Sequence, residues 1–247
     1  MNSRARRTSS RPGGGTSPIL PPDFSGDYTM KRGISTNRNV ATHAACLKQQ
    51  GIDFVFRYYS LTTHQTEKRL TQAEAEALSA AGLEIGVVYE DAPTSLSYFS
   101  ATRGHRDGVN ACKAALSLHQ PPGSAIYFTV DYDAALADIS GSILDYFRGV
   151  DQGMKDAGGG NSAYIAAVYG SGAACDFMKA QCPFVKYSWL AESKGWLGSR
   201  TYAAWDVNQA TATSDLCGFP ADGYEENQAQ DDFGGFVLGQ VPALPTT

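Results

Sequence analysis

The feature that most constrains this chain is an alternation, between residues 31 and 181, of short apolar runs with stretches that carry helix signals. Lys31-Arg32-Gly33-Ile34-Ser35 opens the series as a short strand. A helix over about 39–50 follows, with Asn37 or Asn39 as its cap and Gly51 as its terminating residue. Asp53 to Tyr59 (DFVFRYY) is aromatic and β-branched, and reads as a strand. Thr71-Gln72-Ala73-Glu74 is a capping box that starts a helix ending at Gly82, and Glu84 to Tyr89 is the next strand. A helix near 104–119 must stop before Pro121-Pro122, which cannot continue it. Ala125 to Val130 is a nearly continuous apolar run, as expected of a strand covered on both faces. A helix at about 140–157 runs into Gly158-Gly159-Gly160, Ala163 to Tyr169 is a further strand, and Ser171 to Ala180 a further helix.

Past Cys182 the rhythm changes. Tyr187 to Leu190 and Thr201 to Trp205 read as short strands without helices between them, and Phe236 to Leu238 as the last strand. Strands alternating with helical crossovers imply parallel βαβ units. Five such repeats followed by three strands predict an α/β fold closed as a TIM-type (β/α)5(β)3 barrel. The competing open doubly wound sheet would lack its usual Gly-rich nucleotide loop.

Composition sets the outer limits. Hydrophobic residues make up 43% of the 247, enough to bury a core and to exclude wholesale disorder. No run of about 18 uncharged apolar residues exists, so no membrane-spanning helix is expected. Residues 1–30 are rich in Pro, Gly and Ser and hold Arg4, Arg6, Arg7 and Arg11 against Asp23 and Asp27, a basic tail. The barrel is expected over 31–240, with a short tail at 241–247. With +2 on the tail, the chain's net charge of −5 leaves −7 on the rest, an acidic body that gives no reason to expect nucleic acid. The five cysteines include no CxxC pair, which disfavours structural zinc; Cys46 and Cys112 read as buried hydrophobes, and a Cys182–Cys217 disulfide is conceivable. The four histidines have no metalloprotease spacing, and no G-x-S-x-G elbow is present.

In such a barrel the chemistry sits at the carboxyl ends of the strands. Those ends supply Ser35, Tyr58, Tyr59, Glu90, Asp91, Asp131, Asp133, Tyr169, Trp189, Glu192, Trp205 and Asp206. Carboxylates beside aromatic faces suit a sugar, whose C–H faces stack while its hydroxyls bond to acceptors. The sharpest local feature is Val130-Asp131-Tyr132-Asp133, whose alternation puts both aspartates on one side if the strand continues through them. One could act as general acid while the other stays ionised. The same pair could instead cap a loop or bind a cation. Glu90 is a second candidate acid, and Arg57 is expected in the barrel or at its rim, where it could pair with Asp131 or Glu90, either to hold that carboxylate ionised or as a purely structural pair. Tyr59, Tyr169, Trp189 and Trp205 are candidate sugar platforms.

The segments Ala125 to Asp133 (AIYFTVDYD), Ala167 to Ser171 (AVYGS), Tyr187 to Ala191 (YSWLA) and Ala204 to Gln209 (AWDVNQ) resemble the DUF1906 glycoside-hydrolase-like family. That family is related to the family 25 glycoside hydrolases, lysozymes with a (β/α)5(β)3 barrel. The resemblance spans residues 33 to about 238. It implies that Asp131 and Asp133 match the two acids of the lysozyme DxE motif, with Asp133 as proton donor, and that Trp189-Leu190-Ala191 borders a glycan groove. Two departures stand out: Ser35 replaces the acid of the opening GxD, and Asp133 is one methylene shorter than Glu. The resemblance implies hydrolysis of bacterial cell-wall glycan, hence action outside the cell, although no apolar signal-peptide core follows Arg7. The alternatives are a non-catalytic carbohydrate-binding barrel and, on the DxD alone, a metal-dependent phosphodiesterase. The expected partner is carbohydrate, bound by a monomer with no membrane contact, and no cofactor or metal is required.

Overall fold

The apolar runs pair in chain order and close on themselves. In the computed structural model, which describes residues 30–239, strands β1 (Lys31–Ser35), β2 (Phe54–Tyr59), β3 (Glu84–Tyr89), β4 (Ala125–Thr129), β5 (Ile165–Gly170), β6 (Val185–Leu190), β7 (Val207–Thr211) and β8 (Glu225–Ala229) form one closed barrel. Strands β1 to β7 run parallel, and β8 returns antiparallel between β7 and β1. The tails at 1–29 and 240–247 lie outside the described residues.

Helices cross over after each of the first five strands: α1 (Ala44–Gln49), α2 (Gln72–Ala80), α3 (Ala101–Ser117), α4 with α5 (Leu136–Asp138 and Leu144–Ala157) and α6 (Gly172–Gln181). Caps start several of them where the sequence indicates. Thr71, Ser100 and Ser171 accept backbone N–H groups of Glu74, Arg103 and Ala174. Gly51 and Gly82 follow α1 and α2 with φ of +75°, a conformation that disfavours side chains with a Cβ. Helices α3 and α5 touch backbone to backbone through paired glycines. A Cβ on Gly104 or Gly108 would collide with the carbonyls of Tyr146 and Val150, and one on Gly149 or Gly153 with those of Ala101 and His105.

Two apolar layers follow from the period of two along each strand. Outward residues such as Val55, Ile85, Ile126 and Val168 pack under the helices. Inward residues Phe54, Phe56, Tyr127, Trp189 and Phe233 fill the lower barrel. Their rings need room, which small neighbours provide: Gly33 sits opposite Phe54 and Gly86 opposite Phe56, where any Cβ would overlap the ring. Phe56 stacks on Trp189 with centroids 4.1 Å apart, and the Tyr127 hydroxyl donates to the Phe233 carbonyl at 2.7 Å.

The last third departs from the sequence expectation. Thr201–Trp205 is not a strand but the turn-rich approach to β7, and Phe236 contributes only an isolated antiparallel bridge to Ile85. The eighth strand is Glu225–Ala229, within the acidic stretch 224–232 and ahead of the position at 236–238 where the last strand is expected. Among the described residues no helix packs on it from outside; only Asn227 and Ala229 are buried, and its sequence, EENQA, lacks an apolar signature. The cysteines also pair differently. Cys46 on α1 is bonded to Cys217 in the β7–β8 loop, while Cys112, Cys175 and Cys182 are free and buried. A Cys182–Cys217 bridge is therefore excluded; Cys182 packs against Met178 on α6.

Candidate active site

The inward register that packs aromatics in the lower barrel brings polar residues to the next level up. Ser35 (β1), Tyr58 (β2), Tyr169 (β5), Gln209 (β7) and Glu225 (β8) continue the inward positions of their strands, and Glu90 and Asp131 follow β3 and β4 with the same parity. Asparagine 227 lies just beneath, where Asn227 Oδ1 accepts the Trp189 indole N–H at 2.9 Å.

That contact orders a chain of hydrogen bonds. With its carbonyl occupied by Trp189, Asn227 must present its amide N–H, and Nδ2 donates to Ser35 Oγ at 3.0 Å. The Tyr169 hydroxyl likewise donates to Gln209 Oε1 at 2.9 Å, leaving Gln209 Nε2 to donate to the same Ser35 oxygen at 3.3 Å. Both amide orientations are thus fixed by their partners. Ser35, fully buried, receives two donors and can place its own proton only on Glu225 Oε2, 3.0 Å away. Serine here does not replace an acid's charge; it orients the carboxylate opposite.

Three carboxyl groups share this mouth with one ammonium. Lys68 Nζ lies 2.5 Å from Glu90 Oε1 and 4.5 Å from the centre of the Tyr58 ring. Burial pushes the Asp131 carboxyl above its ordinary range; neighbouring Glu90 raises it further, and Lys68 partly opposes this. Burial also raises Glu225, opposed by the Ser35 hydrogen bond and reinforced by Glu192 and Glu90. The Tyr58 phenol is pushed up by burial, then by Glu90 and Glu225, and so stays a neutral donor. Just below Asp131, the buried Thr129 Oγ1 has no hydrogen-bond partner among the described residues. At the rim, Glu192 Oε2 accepts from Thr211 at 2.7 Å.

Four residues expected at the site stand elsewhere. Asp133 is exposed and its Oδ1 accepts the Leu197 N–H at 2.7 Å; β4 ends at Thr129 and the chain turns at 132, so alternation cannot be extended to residue 133. Arg57 is fully buried and faces the helices, and it bonds to Glu74 of α2 rather than to Asp131 or Glu90. Its Nε lies 2.8 Å from Glu74 Oε1, and its other nitrogens bond the Thr36 and Glu67 carbonyls at 2.6 Å. Glu74, expected to complete the α2 capping box, is spent on this pair and on the Val40 N–H. Tyr59 has the same outward parity and donates to Gln120, so its neighbour Tyr58 holds the inward position. Trp205 lies before the start of β7, below the mouth, since Asp206 already bonds the middle of β6 at Ser188. Trp189 faces inward but is buried beneath Tyr169, a support for the site's floor rather than an open platform.

Glu225 is the candidate acid that the sequence reading missed. Its signal was the alternation Glu225, Asn227, Ala229, hidden in a run of polar residues. Among the described residues no three His, Cys, Asp or Glu side chains approach closely enough to share a metal ion.

Five crossover helices, three bare strands and acids converging at the carboxyl rim define a glycoside hydrolase-like barrel. Sequence comparison agrees with that architecture. The chain belongs to the family described as Rv2525c-like, glycoside hydrolase-like domain, whose profile matches residues 45–237. An uncharacterized Bacillus subtilis protein, YbfG, is 30% identical over 187 residues, which cover 72% of this chain and 25% of that protein. The chain thus spans about a quarter of the length of the curated relatives it matches. The fold is similar to that of the Tat-secreted Mycobacterium tuberculosis protein Rv2525c, at 17% identity and a TM-score of 0.67, covering 84% of this chain and 98% of that one. A muramidase from Trichobolus zukalii is similar at 12% identity and a TM-score of 0.53, covering 82% and 94%.

Proposed function

We propose that the protein hydrolyses glycosidic bonds of a bacterial cell-wall glycan, with Asp131 as the proton donor. The observation that carries this reading is the half-buried Asp131 carboxyl, set beside Glu90 with its Lys68 partner on a tyrosine-lined mouth that Glu225 shares, where burial pushes the Asp131 carboxyl above its ordinary range. A general acid must hold its proton near neutral pH, and burial beside a second acid is how a carboxyl does so. Glu90, neutralised in part by Lys68, and Glu225, oriented by Ser35, are the groups placed to meet positive charge developing on the sugar ring. Tyr58 and Tyr169 offer ring faces and hydroxyls to the substrate, and the unpartnered Thr129 hydroxyl offers a further hydrogen bond. These roles need no metal or organic cofactor. The muramidase likeness supports the substrate class, and the proposed action is extracellular.

The test is release of reducing ends from peptidoglycan. Wild type and Asp133→Asn should both release them, while Asp131→Asn should not; turnover that survives Asp131→Asn together with Glu225→Gln defeats the assignment. A second reading, a glycan-binding barrel without turnover, is favoured by the exposed position of Asp133, where the lysozyme motif has its donor. Saturable glycan binding without new reducing ends at any pH would select it.

A further inference from the structure

The barrel mouth and its rim hold more negative charge than the neighbouring side chains balance. Glu90, Asp131, Glu192 and Glu225 stand there, and among the described residues Lys68 is the one cation bonded to any of them. Lys194 is near enough to Glu192 to feel its charge, but its Nζ turns to Asn208 Oδ1, 2.9 Å away on the outer face of β7. With Asp131 holding its proton and Glu90 matched by Lys68, Glu192 and Glu225 are left without a counter-charge. Among the described residues no three acidic side chains approach closely enough to share a metal ion. The missing charge therefore suits a ligand that brings hydrogen-bond donors of its own.

A second observation, independent of charge, marks the mouth as a socket and not merely an acidic surface. Thr129 is inward on β4, between Tyr127 in the aromatic floor and Asp131 at the mouth. It is 2% exposed, and its Oγ1 has no hydrogen-bond partner among the described residues. A buried hydroxyl left unpaired is costly, and a ligand seated above it would supply the partner. Lys68 shows how an ammonium is held here: its Nζ lies against the Glu90 carboxylate and 4.5 Å from the centre of the Tyr58 ring.

We propose that the mouth selects a glycan whose amino sugars carry a free ammonium in place of an N-acetyl group, with Glu225 as the counter-charge and Thr129 bonded to a hydroxyl of the seated ring. The proposal rests on the glycan reading above and narrows it. Ser35 holds Glu225 by Oε2, which fixes the direction in which the carboxylate meets its ligand. Glu192, exposed at the rim, adds a weaker attraction. A neutral N-acetyl group in the same place would take water from Glu225 and return no charge.

The probes are the glucosamine tetramer and its fully N-acetylated counterpart, each titrated calorimetrically into the whole protein in mildly acidic buffer, where the sugar amines are protonated. The amino tetramer should bind about tenfold more tightly, the scale of one charge-assisted hydrogen bond. Glu225→Gln should remove that difference, and Glu192→Gln should reduce it by about threefold, as for an exposed ion pair. Thr129→Val should weaken both tetramers by about fivefold, the scale of one neutral hydrogen bond. Asp133→Asn, an exposed acid away from the mouth, should change neither affinity; thermal midpoints confirm that each variant folds. Equal or tighter binding of the acetylated tetramer, no binding of either, or a preference that survives Glu225→Gln together with Glu192→Gln overturns the proposal. Binding is read without turnover, so the two readings fail separately. Preference for the amino tetramer with no reducing ends released from any glycan would refute the hydrolase and leave the selectivity standing. Release of reducing ends by a protein that binds both tetramers alike would do the reverse.

Discussion

The floor and the mouth of this barrel are built from the same strands, one register step apart, and share almost no chemistry. Below, Phe54, Phe56, Tyr127, Trp189 and Phe233 interlock in a plug whose few polar atoms are all bonded. Above, Glu90, Asp131, Glu225 and two tyrosines are half-open over a buried Ser35, and burial pushes two of the acids above their ordinary range. The contrast separates the packed core from the candidate site along the barrel axis. Packing below offsets the cost of confining carboxyl groups above. Two side-chain paths link the levels, from Trp189 through Asn227 and from Trp189 through Tyr169 and Gln209, and both meet at Ser35 beside Glu225.

The largest expected effect breaks the mouth alone. Asp131→Asn should lower release of reducing ends by about 1000-fold, a typical loss for a general acid, while the urea midpoint stays at or above the wild-type value. Next, Trp189→Ala removes the centre of the floor and should cost about 3–5 kcal/mol of stability, read from urea unfolding. Glu74→Gln tests the outer layer, because it leaves buried Arg57 without its counter-charge; about 3 kcal/mol should be lost with no direct change at the mouth. Ser35→Ala cuts both paths between the levels. Two buried amide donors lose their acceptor, at about 1–3 kcal/mol, and the Glu225 carboxyl rises further, moving the pH–rate profile to higher pH.

The smallest effect sharpens the comparison by pH. An acid whose folded pKa is raised binds its proton more tightly folded than unfolded, so its stabilising contribution is present below the ordinary value and lost as pH rises through the folded one. For Asp131 the ordinary value is 3.8. The stability of wild type relative to Asp131→Asn should therefore fall as pH is raised from below 3.8 towards neutrality. Parallel urea titrations of the two proteins measure this; a flat difference would show that the mouth does not strain its acid.

Strands β2 to β6, with the helices between them, were legible because they read as largely apolar runs, and β1 (KRGIS) because a helix signal follows it. Strands β7 and β8 were not, since their outer faces meet water and only every second residue reports burial. At the candidate site, Ser35, Glu90, Asp131 and Tyr169 were read off the carboxyl ends of the expected strands, whereas alternation carried past the end of β4 misplaced Asp133. Tyr58 and Tyr59 are chemically alike at that level of reading, and only the register of Phe54 and Phe56 decides which one turns inward. Arg57 was misread because its partner, Glu74, looked locally complete as a helix-capping residue. Distant pairing of this kind, across 17 residues, leaves no periodic trace.

The Cys46–Cys217 bond has a mechanical consequence. A cylinder of staves has one seam where the ends of the chain meet, here the junction of β1 with β8. The bridge fastens the segment just after the first stave to the segment just before the last, like a clasp beside that seam. Peeling from either terminus can release a single stave, but the hoop of six between the clasped points stays closed on itself until sulfur parts from sulfur.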